Sequence, residues 1–149
     1  RMGSFVRGAL ITEEVPDTVD LAKMAAARDP RLESRKWVAA VLRQVADATR
    51  LMHKAGFAHN DLKWRNLLVD GGEAPTVYLI DCPSGCYWVE PFLSYRVIKD
   101  LACLDKVAIK TLSRSQRLRF FLEYAQLMRL DQKAKRDIGR ILVFFKGRE

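Results

Sequence analysis

Apolar positions change their period along the chain, and the changes divide it into segments. Trp37, Val38, Val41, Leu42, Val45, Ala48, Leu51 and Met52 recur at steps of three and four, which places them on one face of a helix. Asp29-Pro30 offers a cap followed by proline at the first helical position, where its missing N–H costs nothing, and Gly56 offers a left-handed stop. A long helix is predicted between them. Upstream, Ala9, Leu10 and Ile11 give Arg7 to Thr12 the look of a short strand, ending in Glu13-Glu14 before Pro16, and Asp17 to Ala27 is predicted to form a short helix. After Phe57 the apolar runs shorten. Leu67-Leu68-Val69 and Val77-Tyr78-Leu79-Ile80 are strand-like, and Asp70-Gly71-Gly72 between them is turn chemistry, so a hairpin follows. The helical period returns at about Val97, with Val97, Leu101, Leu104 and Ala108 on one face, and two more helices are predicted over Ser115 to Met128 and Asp131 to Phe145, the last capped by Asp131. The fold class expected is α+β, mainly α, with one small hairpin.

Composition narrows the picture. With 149 residues, 49% apolar and 30% charged, the chain is long enough for one domain with a real core and lies outside the disordered range. The longest uninterrupted apolar run, Trp37 to Leu42, is far below the ~20 residues of a membrane-spanning helix. No secretory signal pattern opens the sequence. The net charge is +8, and the segment Arg114 to Glu149 alone carries 10 Lys or Arg against 4 Asp or Glu. Such a basic tail favours anionic partners: nucleotides, a phosphorylated glycolipid, an acidic membrane face or nucleic acid. Nucleic acid is disfavoured because no recognition motif accompanies the charge. Cys82, Cys86 and Cys103 form an odd set without a framework spacing, which suits reduced thiols in the cytoplasm, and His53 and His59 are not placed as a zinc-binding pair with them. His53 reads as a helix-surface or helix-end residue and Trp37 as core; Trp64 either packs under the hairpin or lines a cleft, packing being favoured.

The candidate chemistry sits where the long helix gives way to the hairpin. His59-Asn60-Asp61-Leu62-Lys63-Trp64-Arg65-Asn66 leads into the first strand, and Asp81 ends the second. An antiparallel hairpin brings the residue before its first strand beside the residue after its last, so Asn66 and Asp81 are expected side by side. Magnesium takes oxygen ligands, commonly one or two from protein, and an amide with a carboxylate fits. Asp61 would face a transferred phosphoryl group and orient or deprotonate an attacking hydroxyl. Lys63, on the same loop, would neutralise charge on the phosphate. Phosphoryl transfer asks mainly for positioning and charge stabilisation, and the protein-kinase pattern His-Arg-Asp-Leu-x-x-x-Asn with a distal Asp has this spacing.

His59 to Asp70, Tyr78-Leu79-Ile80-Asp81-Cys82-Pro83-Ser84-Gly85 and Lys99-Asp100-Leu101-Ala102 together resemble the bacterial lipopolysaccharide core kinases, the Kdo and heptose kinases with a protein-kinase-like fold. The resemblance runs across most of the chain. It implies a kinase-like C-lobe over residues 17–149, with residues 1–16 as the last N-lobe strand and hinge. It makes Asp61 the catalytic base, Asn66 and Asp81 the magnesium ligands and Lys63 an ATP phosphate contact. His59 would tie the loop to the strand end, and Asp100 would brace the loop backbone from a helix. The implied cofactors are ATP and Mg2+, the acceptor a sugar hydroxyl of the lipid A inner core, and the location the cytoplasm, peripheral to the inner face of the membrane.

Departures from the protein-kinase pattern sharpen this. Asn60 replaces the Arg that reads an activation-loop phosphate, and Asp81-Cys82-Pro83 replaces Asp-Phe-Gly, with proline opposing a backbone flip. None of the eight glycines forms G-x-G-x-x-G, so the nucleotide-clamping lobe is expected to be missing from this chain. Val107-Ala108-Ile109-Lys110 spells the kinase strand-lysine motif but follows Asp81 and continues a helical period, which makes it a decoy. The rival expectations are a small-molecule kinase of the aminoglycoside or choline type, and a non-catalytic pseudokinase or basic docking module.

Overall fold

The computed structural model describes residues 13–147. The strand expected at Arg7 to Thr12 lies outside them. The first described elements are β1 (Thr18–Asp20) and α1 (Leu21–Ala27), where the sequence pointed to one helix from Asp17. The strand is recruited by a tertiary partner. Thr18, Val19 and Asp20 pair antiparallel with Asp70, Val69 and Leu68 of β3 (Leu67–Asp70), and no local pattern announces so short a pairing. Asp20 then caps α1, its Oδ1 accepting from the Lys23 N–H at 2.8 Å.

The long helix starts later than Asp29-Pro30. Pro30–Glu33 form a separate turn of 3-10 helix capped by Asp29, and α2 spans Arg35–Lys54 with Ser34 as its cap. Asp29 is held in its own fork with Arg31, donor to acceptor 2.7 and 2.9 Å, so it closes a turn and Ser34 is left to start the helix. Gly56 follows α2 with φ +79°, the left-handed stop expected of glycine.

Hairpin β3 with β4 (Val77–Leu79) has the register Leu67 to Leu79, Leu68 to Tyr78 and Val69 to Val77. With β1 it makes a three-stranded sheet in the order β1-β3-β4. A second ladder joins β2 (Phe57–Ala58) to β5 (Cys86–Tyr87). Three helices complete the fold: α3 (Phe92–Thr111), α4 (Arg114–Ala125) and α5 (Gln132–Val143). α3 begins five residues before the period at Val97 becomes visible, and Val107 to Lys110 lie in it as helix. Ser113 and Gln116 form a capping box on α4, and Asp131 caps α5 through the Ala134 N–H at 2.7 Å. No helix among the described residues is long and apolar enough to cross a membrane.

The core lies between α1, the apolar face of α2, the sheet and α3. Met24, Val38, Val41, Val45, Leu62, Trp64, Leu67, Val69 and Leu104 are buried in it. Trp37 is core as expected, with its indole N–H donating to the Gly72 carbonyl at 3.2 Å. Trp64 is buried and packs in the core cluster with Leu62 and Leu67, and it also forms part of the floor of an apolar cleft between the helices. α4 packs chiefly on α2, and α5 on α3.

Candidate active site

The segment from His59 to Asn66 is an irregular loop that ends in a 3-10 turn, Trp64–Asn66, running straight into β3. Its shape is set by buried anchors. Leu62 and Trp64 are pinned in the core, which turns the intervening Asp61, Lys63 and Arg65 outward. Asn66 is buried, and its amide N–H donates to the Asp61 carbonyl at 2.8 Å and toward the Asp61 Oδ2 at 3.4 Å. Those two acceptors fix which end of the amide is nitrogen. Its oxygen is left without a hydrogen-bond partner among the described residues.

Asp61 carries two cations. Lys63 pairs with its Oδ1, and Arg65 donates to its Oδ2 at 3.0 Å. Partial burial pushes the Asp61 carboxyl upward, but hydrogen bonds and charge from Lys63 and Arg65 outweigh this and hold it below the ordinary carboxylate range. Asp61 is therefore an anion at neutral pH. Arg65 was not anticipated as a site residue; its position four residues after Asp61 in a chain turning through 3-10 geometry was the available signal.

The Ile80 N–H donates to the Asn66 carbonyl at 3.0 Å, so the hairpin delivers Asn66 and Asp81 to the same end of the ladder. Asp81 has a positive φ of 56°, a conformation that non-glycine residues adopt at a cost. Its side chain is exposed and has no partner among the described residues. The chain then closes a turn, Gly85 N–H to Cys82 carbonyl at 3.2 Å. A Cβ at Gly85 would run into Cys82 Sγ and the Phe57 ring, so glycine allows β5 to return against β2 directly behind the site. An amide oxygen and a carboxylate, both without a hydrogen-bond partner among the described residues and carried at the same end of the ladder, are oxygen donors of the kind that suits a hard divalent cation.

Below the loop lies a buried polar layer. Asp100, fully buried on α3, accepts from the His59 backbone N–H at 2.8 Å. The His59 ring is also buried, and its Nδ1 lies 3.3 Å from the Asp61 N–H, which it accepts. His59 and Asp100 thus both bond to the loop backbone. Asn60 holds it from the other side with φ 64°; its amide donates to the Ser84 carbonyl at 2.7 Å and its own carbonyl accepts from Lys99 Nζ at 2.8 Å. His53 departs from expectation. It closes the last turn of α2 but is buried, with Nε2 3.3 Å from Asp100 Oδ2 and Nδ1 2.8 Å from the Tyr124 hydroxyl. The link to Asp100 spans 47 positions and the link to Tyr124 spans 71, and neither leaves a trace in a local pattern.

Glu13 and Glu14 are exposed at the start of the described residues. Cys82 and Cys86 are exposed and Cys103 is buried. Burial raises the Cys82 thiol above its ordinary range, as do the neighbouring Asp100 and Asp81 charges.

Comparison with known proteins bears on the fold and the family. A solved structure described as WaaP in complex with acyl carrier protein has a similar fold, with a TM-score of 0.70 and 26% sequence identity over 91% of this chain. The chain spans 57% of the length of that protein. The search of curated proteins finds no match. The family model for the lipopolysaccharide kinase (Kdo/WaaP) family matches residues 1–87, a stretch that takes in the catalytic-type loop, the hairpin and Asp81. With its kinase-like C-lobe and more than half its length matched, the chain belongs to the lipopolysaccharide kinase (Kdo/WaaP) family.

Proposed function

We propose that these residues are the catalytic half of an ATP-dependent phosphotransferase that moves the γ-phosphate to a sugar hydroxyl of the lipopolysaccharide inner core. The observation that carries the reading is the division of labour within Asn66. Its side-chain N–H ties down Asp61 at 2.8 Å, and its backbone carbonyl accepts the Ile80 N–H at 3.0 Å, next to Asp81 in the chain. One residue thereby links the acceptor side of the site to the nucleotide side.

Asn66 and Asp81 are the residues that would hold Mg2+, which when bound would offset charge on the nucleotide phosphates. Asp61 accepts the hydrogen bond of the incoming sugar hydroxyl, orients its oxygen toward phosphorus and receives the proton. An Asp61 held anionic by its neighbours is a weak base but a persistent acceptor, which suits a reaction governed by alignment. Lys63, seated on Asp61, is within reach of both the carboxylate and an arriving phosphate. His59 and Asp100 keep the loop in register and touch neither reactant.

A second surface bears on partners. The described part of the C-terminal segment leaves Arg114, Arg119, Arg129, Lys135, Arg136 and Lys146 without an ion pair, whereas Arg117, Lys133 and Arg140 are paired. Between α2, α3, α4 and α5 opens an apolar cleft of about 700 Å³, lined by Val41, Leu104, Phe121 and Ile141 among others. An acidic partner that presents an acyl chain fits this combination, and the solved neighbour was captured with acyl carrier protein. The same basic face would hold the protein on an anionic membrane surface on the cytoplasmic side, next to a glycolipid acceptor.

The test is a paired substitution in the intact protein. Asp61→Asn should lower phosphotransfer to a lipid A-core acceptor by about a hundredfold or more while magnesium nucleotide still binds. Asp81→Asn should lose both. Undiminished transfer by Asp61→Asn would overturn the assignment. An aminoglycoside or choline-type kinase would show instead as transfer to those small acceptors alone, and a docking module as no response to nucleotide.

A further inference from the structure

Tyr124 lies outside the loop, the hairpin and the helix that bears Asp100. It sits in the last turn of α4, and its hydroxyl lies 2.8 Å from His53 Nδ1, with the two rings edge to face at 5.6 Å. His53 presents its other nitrogen to Asp100 Oδ2, the same oxygen that accepts the His59 N–H. The other carboxylate oxygen, Oδ1, is buried and has no hydrogen-bond partner among the described residues. The orientation of the Asp100 carboxylate therefore rests on two donors to one oxygen. One is the backbone it has to hold; the other is His53.

An imidazole is free to turn about its outer torsion and to exchange tautomers unless something fixes it. Asp100 and the Tyr124 O–H together fix both. Asp100 Oδ2, which already accepts the His59 N–H, is an acceptor facing Nε2, so the neutral imidazole carries its proton on Nε2 and leaves Nδ1 to accept from the Tyr124 O–H. Burial and the nearby Asp137 and Asp100 charges push the Tyr124 phenol well above its ordinary range, which keeps that proton in place. We infer that Tyr124 is a positioning residue for the proposed phosphotransferase site: through His53 and Asp100 it holds the backbone of His59, and with it Asp61, from a helix that touches neither reactant. The chain of contacts is Tyr124 O–H to His53 Nδ1, His53 Nε2–H to Asp100 Oδ2, and Asp100 Oδ2 to the His59 N–H. The Asp61 N–H on His59 Nδ1 is its last member. Outer groups of this kind typically change activity by about ten- to a hundredfold at metal sites, and a smaller effect is expected here because three residues, His53, Asp100 and His59, intervene between Tyr124 and Asp61.

The inference rests on the functional reading for its kinetic part only. Tyr124→Phe in the intact, isotopically labelled protein keeps the ring and removes the hydroxyl. The expected result is a displaced pair of His59 and Asp61 backbone amide signals and loss of the Nε2-protonated, Nδ1-accepting pattern of the His53 ring nitrogens. Phosphotransfer turnover should fall about three- to tenfold, with the nucleotide KM unchanged. Phe121→Leu, a packing change beside Tyr124 on the same helix, should leave those signals in place. The inference is overturned if Tyr124→Phe leaves the His59, Asp61 and His53 signals at their wild-type positions, or if Phe121→Leu moves them equally. Absence of phosphotransfer in the wild type would contradict the functional reading, and the amide and ring signals would still decide the role of Tyr124.

Discussion

Asp61 is where the electrostatics of the site concentrate, because a single carboxylate takes both Lys63 and Arg65. Its folded-state pKa lies below the ordinary carboxylate value, so the stability these pairs contribute is present above that value and is lost as pH falls through the lowered one. Arg65 is mostly exposed, which limits the size of that contribution by solvent screening. Arg65→Gln should move the Asp61 carboxyl back toward the ordinary range without unfolding the protein, as read by carbon-detected titration of its side chain. An unchanged titration would mean that Lys63 alone sets it. At this scale the placement of Asp61, Asn66 and Asp81 on one loop and one hairpin end was legible because it follows from spacing along the chain. His53 and Tyr124 were not, since a lone histidine at a helix end and a lone tyrosine on another helix become partners only when α4 folds back onto α2.

Among elements, the hairpin depends on a helix side chain for its free edge. Gln44 on α2 donates from Nε2 to the Pro75 carbonyl at 2.6 Å and accepts the Val77 N–H at 3.1 Å. It does for β4 what a neighbouring strand would do, and Trp37 secures the turn at Gly72 in the same manner. Gln44→Ala leaves the Val77 N–H without a partner, at a cost of about 1–3 kcal/mol. Faster amide exchange is expected over Val77 to Leu79, together with weaker nucleotide binding through Asp81; exchange at wild-type rates would show that β3 alone holds β4. The hairpin itself was readable because two short apolar runs flank a Gly-Gly turn. β1 was not, since three residues carry too little pattern to outvote the helix that follows, and the start of α2 was misplaced because Asp29 and Ser34 are both competent caps.

For the molecule as a whole, kinase-like architecture followed from the resemblance of the loop, hairpin and Lys99-Asp100-Leu101-Ala102 segments to the lipopolysaccharide core kinases, while the way α4 and α5 pack on α2 and α3 did not. The pairing of Arg117 with Asp105, at 2.6 Å through both nitrogens, removes one basic residue from the exposed face and fixes α4 to α3. Lys135→Glu with Arg136→Glu, both exposed on α5, should weaken binding to vesicles containing anionic lipid, the loss being largest at low salt, and leave thermal stability unchanged. Equal binding before and after substitution would remove this face from membrane docking. On the proposed function, Asn66 and Asp81 would hold a metal-bound nucleotide at one end of the hairpin. Calorimetric titration of the intact protein with ATP, with and without Mg2+, is the decisive measurement. Binding that requires Mg2+ and disappears in Asp81→Asn is the predicted result; binding of equal affinity in Asp81→Asn, or independent of Mg2+, would contradict it.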